Sequence, residues 1–299
     1  MLRISPRQLT PPLREGDQVI TVAASSALIN EQKLLAGLQV LESWGLACRP
    51  QQIGKRQWGY LAGDDRSRWN DLHPEKPAPL LACARGGWGA ARLLEQGIDW
   101  HKGWLLGFSD ITALLWARLA ADFDGGIHGP LLTTLADEPA WSQARLRDLL
   151  FGEQIPDLKG EAWVSGIAIG PVVVANLTVA SHLLGSKHVP DLNGAILILE
   201  DVGEAPYRID RMLTQWRLAG ILQQLAGLGF GSFKGCIPPE LGKDEHTFQL
   251  QEVLQDRSAD LGIPIVADLP IGHHSGNAAL PMGRMACLDG HLGRLSLLP

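Results

Sequence analysis

Two continuous apolar runs, residues 79–84 and 104–108, constrain this chain most. Neither alternates polar with apolar, so each reads as a strand covered on both faces. Each breaks at small residues and resumes as a helical pattern. Arg85-Gly86-Gly87-Trp88-Gly89 leads into residues 90–96, and Ser109-Asp110-Ile111-Thr112 leads into 113–121. Upstream, 18–23 is a β-branched strand followed by Ala24-Ser25-Ser26. Residues 31–44 then carry Leu34, Leu35, Leu38 and Leu41 at helical spacing. A further strand is predicted over 47–52. Strand and helix in this alternation imply the α/β class, a parallel sheet with helices on both sides.

The rhythm changes after Leu150. Residues 156–169 are rich in glycine and polar groups and read as a linker or crossover. A strand is predicted over 194–199, running into Glu200-Asp201-Val202-Gly203-Glu204. An amphipathic helix follows over 209–225. Residues 263–268 form the next strand, entering Leu269-Pro270-Ile271-Gly272-His273-His274, and 283–298 read as a hairpin around Asp289-Gly290. The glycine-rich run 227–231 follows a helix rather than a strand, so it is not a dinucleotide loop. The boundary falls near 150–165, giving an N-terminal domain over 1–155 and a C-terminal one over 165–299.

Bulk properties remove several classes. The formal net charge is −6 and no basic cluster stands out, which argues against nucleic acid or an anionic membrane as partner. Cys48, Cys83, Cys236 and Cys287 are widely spaced, without a Cys-x-x-Cys pair, which fits a reducing compartment better than a zinc site or disulfide framework. Residues 1–17 lack the apolar core of a secretory signal. No run approaches the roughly 18 apolar residues of a membrane span. The expectation is a cytoplasmic, soluble protein.

Four segments carry most of the candidate chemistry. Ser109 sits at a strand-to-helix junction, where hydrolases hold a nucleophile beside backbone N–H groups; Ser109 or Asp110 capping the following helix is the simpler alternative. Glycines in the Arg85 loop allow a close backbone approach to an anion, or only a tight turn. The acids from Glu200 to Glu204 either orient a histidine or simply face water, and they suit a metal site poorly. His273 lies in a loop at a strand end, as a general base or an ordinary surface histidine would, and His128 before Gly129-Pro130 is a second candidate base or shapes the turn there. The order serine, acid, histidine matches the α/β-hydrolases, yet Gly107-Phe108-Ser109-Asp110-Ile111 lacks the second glycine of Gly-x-Ser-x-Gly.

On these motifs the chain resembles the LD-carboxypeptidase family, serine peptidases of the S66 type. That family includes murein tetrapeptide carboxypeptidases and microcin C immunity peptidases. The resemblance rests on Arg85-Gly86-Gly87-Trp88-Gly89, Gly107 to Thr112, His128-Gly129-Pro130 and Asn176-Leu177. It continues through Leu199 to Glu204, Tyr207 to Leu213, Gly272-His273, Asn277 and Leu280-Pro281-Met282-Gly283. It departs at Trp88, where the family has tyrosine, and at Val174-Ala175-Asn176, where Gly-Gly-Asn is usual.

The resemblance implies a Rossmann-like N-terminal domain and a smaller mixed-β C-terminal domain. It implies a Ser-Glu-His triad of Ser109, Glu204 and His273, with no metal or cofactor. Backbone N–H groups of Asp110 and Gly87 would form the oxyanion hole. Serine would come from the first domain, glutamate and histidine from the second. The expected substrate is murein tetrapeptide, cut before its terminal D-alanine during cell-wall recycling by a homodimer. Arg85 would bind the terminal carboxylate or serve its own domain, and Trp88 would shape the pocket wall. The alternatives are a microcin-immunity-like hydrolase of an aminoacyl-nucleotide analogue and a silent peptide-binding protein.

Overall fold

A computed structural model describes residues 9–49, 53–239 and 246–298. The chain forms two compact units. One takes the residues up to Ile155 with Gly185–Pro190 and Ser275–Met282; the other takes Pro156–Leu184, Asp191–His274 and Gly283–Pro299.

The first unit alternates strand and helix. In order come β1 (Gln18–Val22), α1 (Glu31–Ser43), β2 (Ala47–Cys48), α2 (Asp65–Asp71), β3 (Leu80–Cys83), β4 (Trp104–Gly107), α3 (Thr112–Ala120), β5 (Gly126–His128), α4 (Leu132–Leu135) and α5 (Ala140–Phe151). β2, β1, β3, β4 and β5 are neighbours in one parallel sheet. The apolar runs are its centre: every residue of β3 and β4 is buried. Leu34, Leu38 and Leu41 on one side of α1 pack into the same core as Val19, Leu80 and Leu106. Asn30 and Asp64 cap α1 and α2 by accepting the N–H groups of Lys33 and Ser67.

The second strand is shorter than expected: it covers only Ala47 and Cys48, and residues 50–52 of the expected run lie outside the described residues. The expected helix over 90–96 is present as a 3₁₀ helix, Ala90–Gln96. Its three-residue period stacks Ala90 and Leu93 on one side, and both are fully buried.

The second unit continues with β6 (Leu158–Lys159), β7 (Glu161–Val164), β8 (Ile167–Asn176), α6 (Leu177–Leu183), β9 (Ile196–Val202), α7 (Pro206–Leu218), β10 (Gly227–Lys234), α8 (Leu250–Ser258) and β11 (Ile265–Ala267). β12 (Leu280–Pro281) returns to the first sheet, antiparallel to β5, before β13 (Met285–Asp289) and β14 (Arg294–Leu297) close a hairpin. The second sheet has the order β6-β14-β13-β8-β9-β10-β11-β7. Its centre, β8 to β11, is parallel, and both flanks are antiparallel.

The expected linker over 156–169 is instead two short strands and the start of a third. The glycine run 227–231 opens β10, a buried strand, rather than a loop. The expected helix over 209–225 is shifted towards the N-terminus: Pro206 opens α7 at its first turn, and Gly220 follows its end at φ 72°. Among the described residues, no helix is long and apolar enough to cross a membrane.

Candidate active site

Ser109 stands directly after β4. Phe108 is still extended, and Ser109 then takes φ 63°, the left-handed region. A residue with a Cβ pays about 1–2 kcal/mol for this conformation, which makes it a strained elbow rather than an ordinary cap. The chain then winds through one 3₁₀ turn, Ser109–Ile111, into α3.

The glycine loop lies against this elbow. A Cβ built on Gly86 would stand 3.2 Å from Ser109 Oγ. Gly87 has φ 113°, and a Cβ there would come within 2.3 Å of Ser26 Oγ, so only glycine fits. Asp110 ties the two segments together. Its Oδ2 accepts from Ser25 Oγ at 2.6 Å and from the Ala90 N–H at 2.8 Å. Burial pushes its carboxyl up, against the pull of those two hydrogen bonds and of the Arg68 charge. Ser26 Oγ accepts the Trp88 N–H at 3.1 Å. Arg68, fully buried, donates to the carbonyls of Ala24 and Gly89, the latter at 2.9 Å. The small-residue loop after β1 thus braces both the elbow and the glycine loop. Sequence reading noted those serines but assigned them no part.

Arg85 Nη1 donates to the Ala27 carbonyl at 2.7 Å. Trp88 is 68% exposed and meets Tyr60 edge-on, with ring centroids 6.4 Å apart. His128 is fully buried in β5 and packs edge-on against Phe108 at 5.6 Å, a core position.

In the second unit the acidic cluster divides. Consecutive strand residues face opposite ways, so Glu200 and Asp201 of β9 separate. Asp201 Oδ2 accepts from the N–H and hydroxyl of Thr178, at 2.9 and 2.8 Å, and its Oδ1 accepts from Asn176 at 3.1 Å. That carboxylate anchors the start of α6. Glu200 is fully buried, and its Oε2 lies 2.6 Å from His273 Nδ1. Burial pushes the Glu200 carboxyl up, while the hydrogen bond and charge of His273 and a hydrogen bond from Asn176 oppose it. Gly272, at φ 112°, lets the histidine loop come this close: a Cβ there would be 2.7 Å from Glu200 Oε2.

The expected partner of His273 was Glu204, and this is corrected to Glu200. β9 ends at Val202, Gly203 turns the chain at φ 72°, and Glu204 lies beyond the strand. Its Oε2 accepts from Arg208 Nη1 at 3.3 Å, one helical turn on. Where Glu200 is ionised its oxygens only accept, and the contact then puts the imidazole proton on Nδ1 and the basic lone pair on Nε2. His274 turns elsewhere and lines a cavity of about 570 Å³ with Trp163, Phe230 and Lys234.

Residues 19–129 match the LD-carboxypeptidase N-terminal domain, and residues 169–288 match the LD-carboxypeptidase C-terminal domain. A carboxypeptidase by name from Synechocystis sp. is 45% identical over 296 residues, covering 96% of both chains. A murein tetrapeptide carboxypeptidase from Pseudomonas aeruginosa is 33% identical over 298 residues, covering 92% of this chain and 94% of its own. Among solved structures, the microcin C7 self-immunity protein MccF superposes with a TM-score of 0.85, covering 97% of this chain and 98% of its own. At 19% identity that likeness speaks to fold. The chain therefore belongs to the LD-carboxypeptidase family of peptidases.

Proposed function

We propose that the chain is a serine LD-carboxypeptidase that removes the terminal D-alanine of murein tetrapeptide, with Ser109 as nucleophile, His273 as base and Glu200 as the group that orients it. The observation that carries this reading is the pairing of His273 Nδ1 with the buried Glu200 carboxyl, which with Glu200 ionised leaves Nε2 as the basic nitrogen. The strained Ser109 elbow beside a glycine loop supports it. The name of the P. aeruginosa relative supports the substrate.

In this mechanism His273 Nε2 takes the Ser109 proton as Oγ attacks the carbonyl of the L-centre. Backbone N–H groups of Asp110 and Gly87 stabilise the tetrahedral oxyanion, an effect worth on the order of a hundredfold or more in rate per donor. His273 returns the proton to the departing D-alanine nitrogen. Water then hydrolyses the acyl-enzyme with the same base. Arg85, at the mouth of the glycine loop, binds the terminal carboxylate with the guanidinium edge that Ala27 does not occupy.

The test is D-alanine release from murein tetrapeptide by the wild type and by Ser109→Ala. Release by the wild type alone supports the reading; release by both would overturn the nucleophile. A second reading, hydrolysis of an aminoacyl-nucleotide analogue on the same triad, is favoured by the exposed Trp88 ring, which offers a stacking face. No release from the tetrapeptide, together with Ser109-dependent cleavage of such an analogue, would replace the first reading with the second.

A further inference from the structure

Residues 275–282 leave the second unit immediately after His273 and His274 and join the first. This strap is fixed by side chains from a single segment. Ser142 and Arg145 lie three apart on α5, and Glu138 stands just before that helix, whose N-cap is Pro139. Glu138 Oε2 accepts the consecutive N–H groups of Gly276 and Asn277, at 2.7 and 3.0 Å. Ser142 Oγ donates to the Asn277 carbonyl at 2.9 Å, and Arg145 Nε donates to the Ala279 carbonyl at 2.9 Å. Gly276, at φ 93°, packs so tightly on Trp141 that a Cβ would stand 2.6 Å from its ring. Leu280 and Pro281 then pair with β5.

Glu138 is the costly member of this clamp. It is only 8% exposed, and burying a carboxylate is expensive unless strong donors meet it. Two successive backbone N–H groups form a small anion nest that does so. A buried carboxyl that accepts from consecutive main-chain amides fixes where that backbone runs. The backbone it fixes begins three residues after the proposed base.

We propose that Glu138 is a positioning residue for His273: by holding Gly276 and Asn277 it sets the path of the histidine loop, and through it the direction of His273 Nε2. The inference rests on the reading of His273 as base. Misplacement of a catalytic group by about 1 Å costs on the order of a hundredfold in rate, so the effect falls on kcat rather than KM.

The test compares full-length wild type, Glu138→Gln and Glu138→Ala. The readouts are kcat and KM for D-alanine release from murein tetrapeptide, amide hydrogen exchange over 271–279, and the downfield proton resonance of the His273–Glu200 hydrogen bond. Glu138→Ala is expected to lower kcat about a hundredfold, with KM within about twofold. It should speed exchange across the loop and broaden the His273 resonance. Glu138→Gln, which keeps an acceptor, should recover about tenfold of the lost kcat. Unchanged kcat with faster exchange would overturn the proposal, as would a His273 resonance unaffected in both variants. If Glu138→Ala fails to fold, Glu138→Gln decides by the same readings. If the wild type releases no D-alanine, the substrate reading fails while the exchange and resonance data still judge the role of Glu138.

Discussion

His273 Nδ1 lies 2.6 Å from Oε2 of Glu200, a carboxylate with no solvent exposure. Glu204, four residues further on, spends its carboxylate on Arg208. The two glutamates should therefore part company in kinetics. Glu200→Gln should lower kcat by up to about 10⁴-fold, the cost of a wrong imidazole tautomer in a serine triad. Glu204→Gln should stay within about threefold, since its ion pair is partly exposed and weak. Steady-state D-alanine release decides; the reverse ranking would return the orienting role to Glu204.

Ser109 should be costly to the fold. At φ 63° its side chain holds a conformation that glycine adopts freely. Ser109→Gly and Ser109→Ala should both be inactive, with Ser109→Gly the more stable by about 1 kcal/mol. Thermal midpoints of the two variants check this. Equal midpoints would mean that the elbow carries no strain.

Glu200 should also leave a mark on stability against pH. Burial raises its folded-state carboxyl above the ordinary value of about 4.3. Between that value and the raised one, the folded chain binds more protons than the unfolded chain. Its contribution to stability is thus fully present below the ordinary value and is lost as pH rises through the folded one. Glu200→Gln removes this dependence. Denaturant titrations at a series of pH values should show wild type losing ground to the variant as pH rises. Parallel curves would contradict the raised carboxyl.

Arg85 is predicted to act on substrate capture. Arg85→Lys keeps the charge but loses the planar fork that matches a carboxylate. KM for the tetrapeptide should rise about tenfold, with kcat changed little, the signature of lost uniform binding. A fall in kcat at unchanged KM would instead assign Arg85 to bracing the glycine loop through Ala27.

The local features were legible along the chain. Runs such as 104–108 read as buried strands, and the break before the helix marks Ser109 as an elbow or a cap, between which its φ of 63° decides. Strand, turn and helix there depend on neighbours a few residues away. Tertiary structure decided the rest. Glu200, Asp201 and Glu204 are chemically alike in sequence. Only the facing of β9 against its neighbours, and the end of that strand at Val202, give one to His273, one to α6 and one to Arg208. The glycines of 227–231 became a strand because flanking β9 and β11 supply the pairing that glycine does not favour alone. The strap that rejoins the first sheet after His274 rests on Glu138, more than a hundred residues away in sequence. Partners at such separations are chosen by packing and hydrogen bonding in three dimensions, which local pattern does not encode.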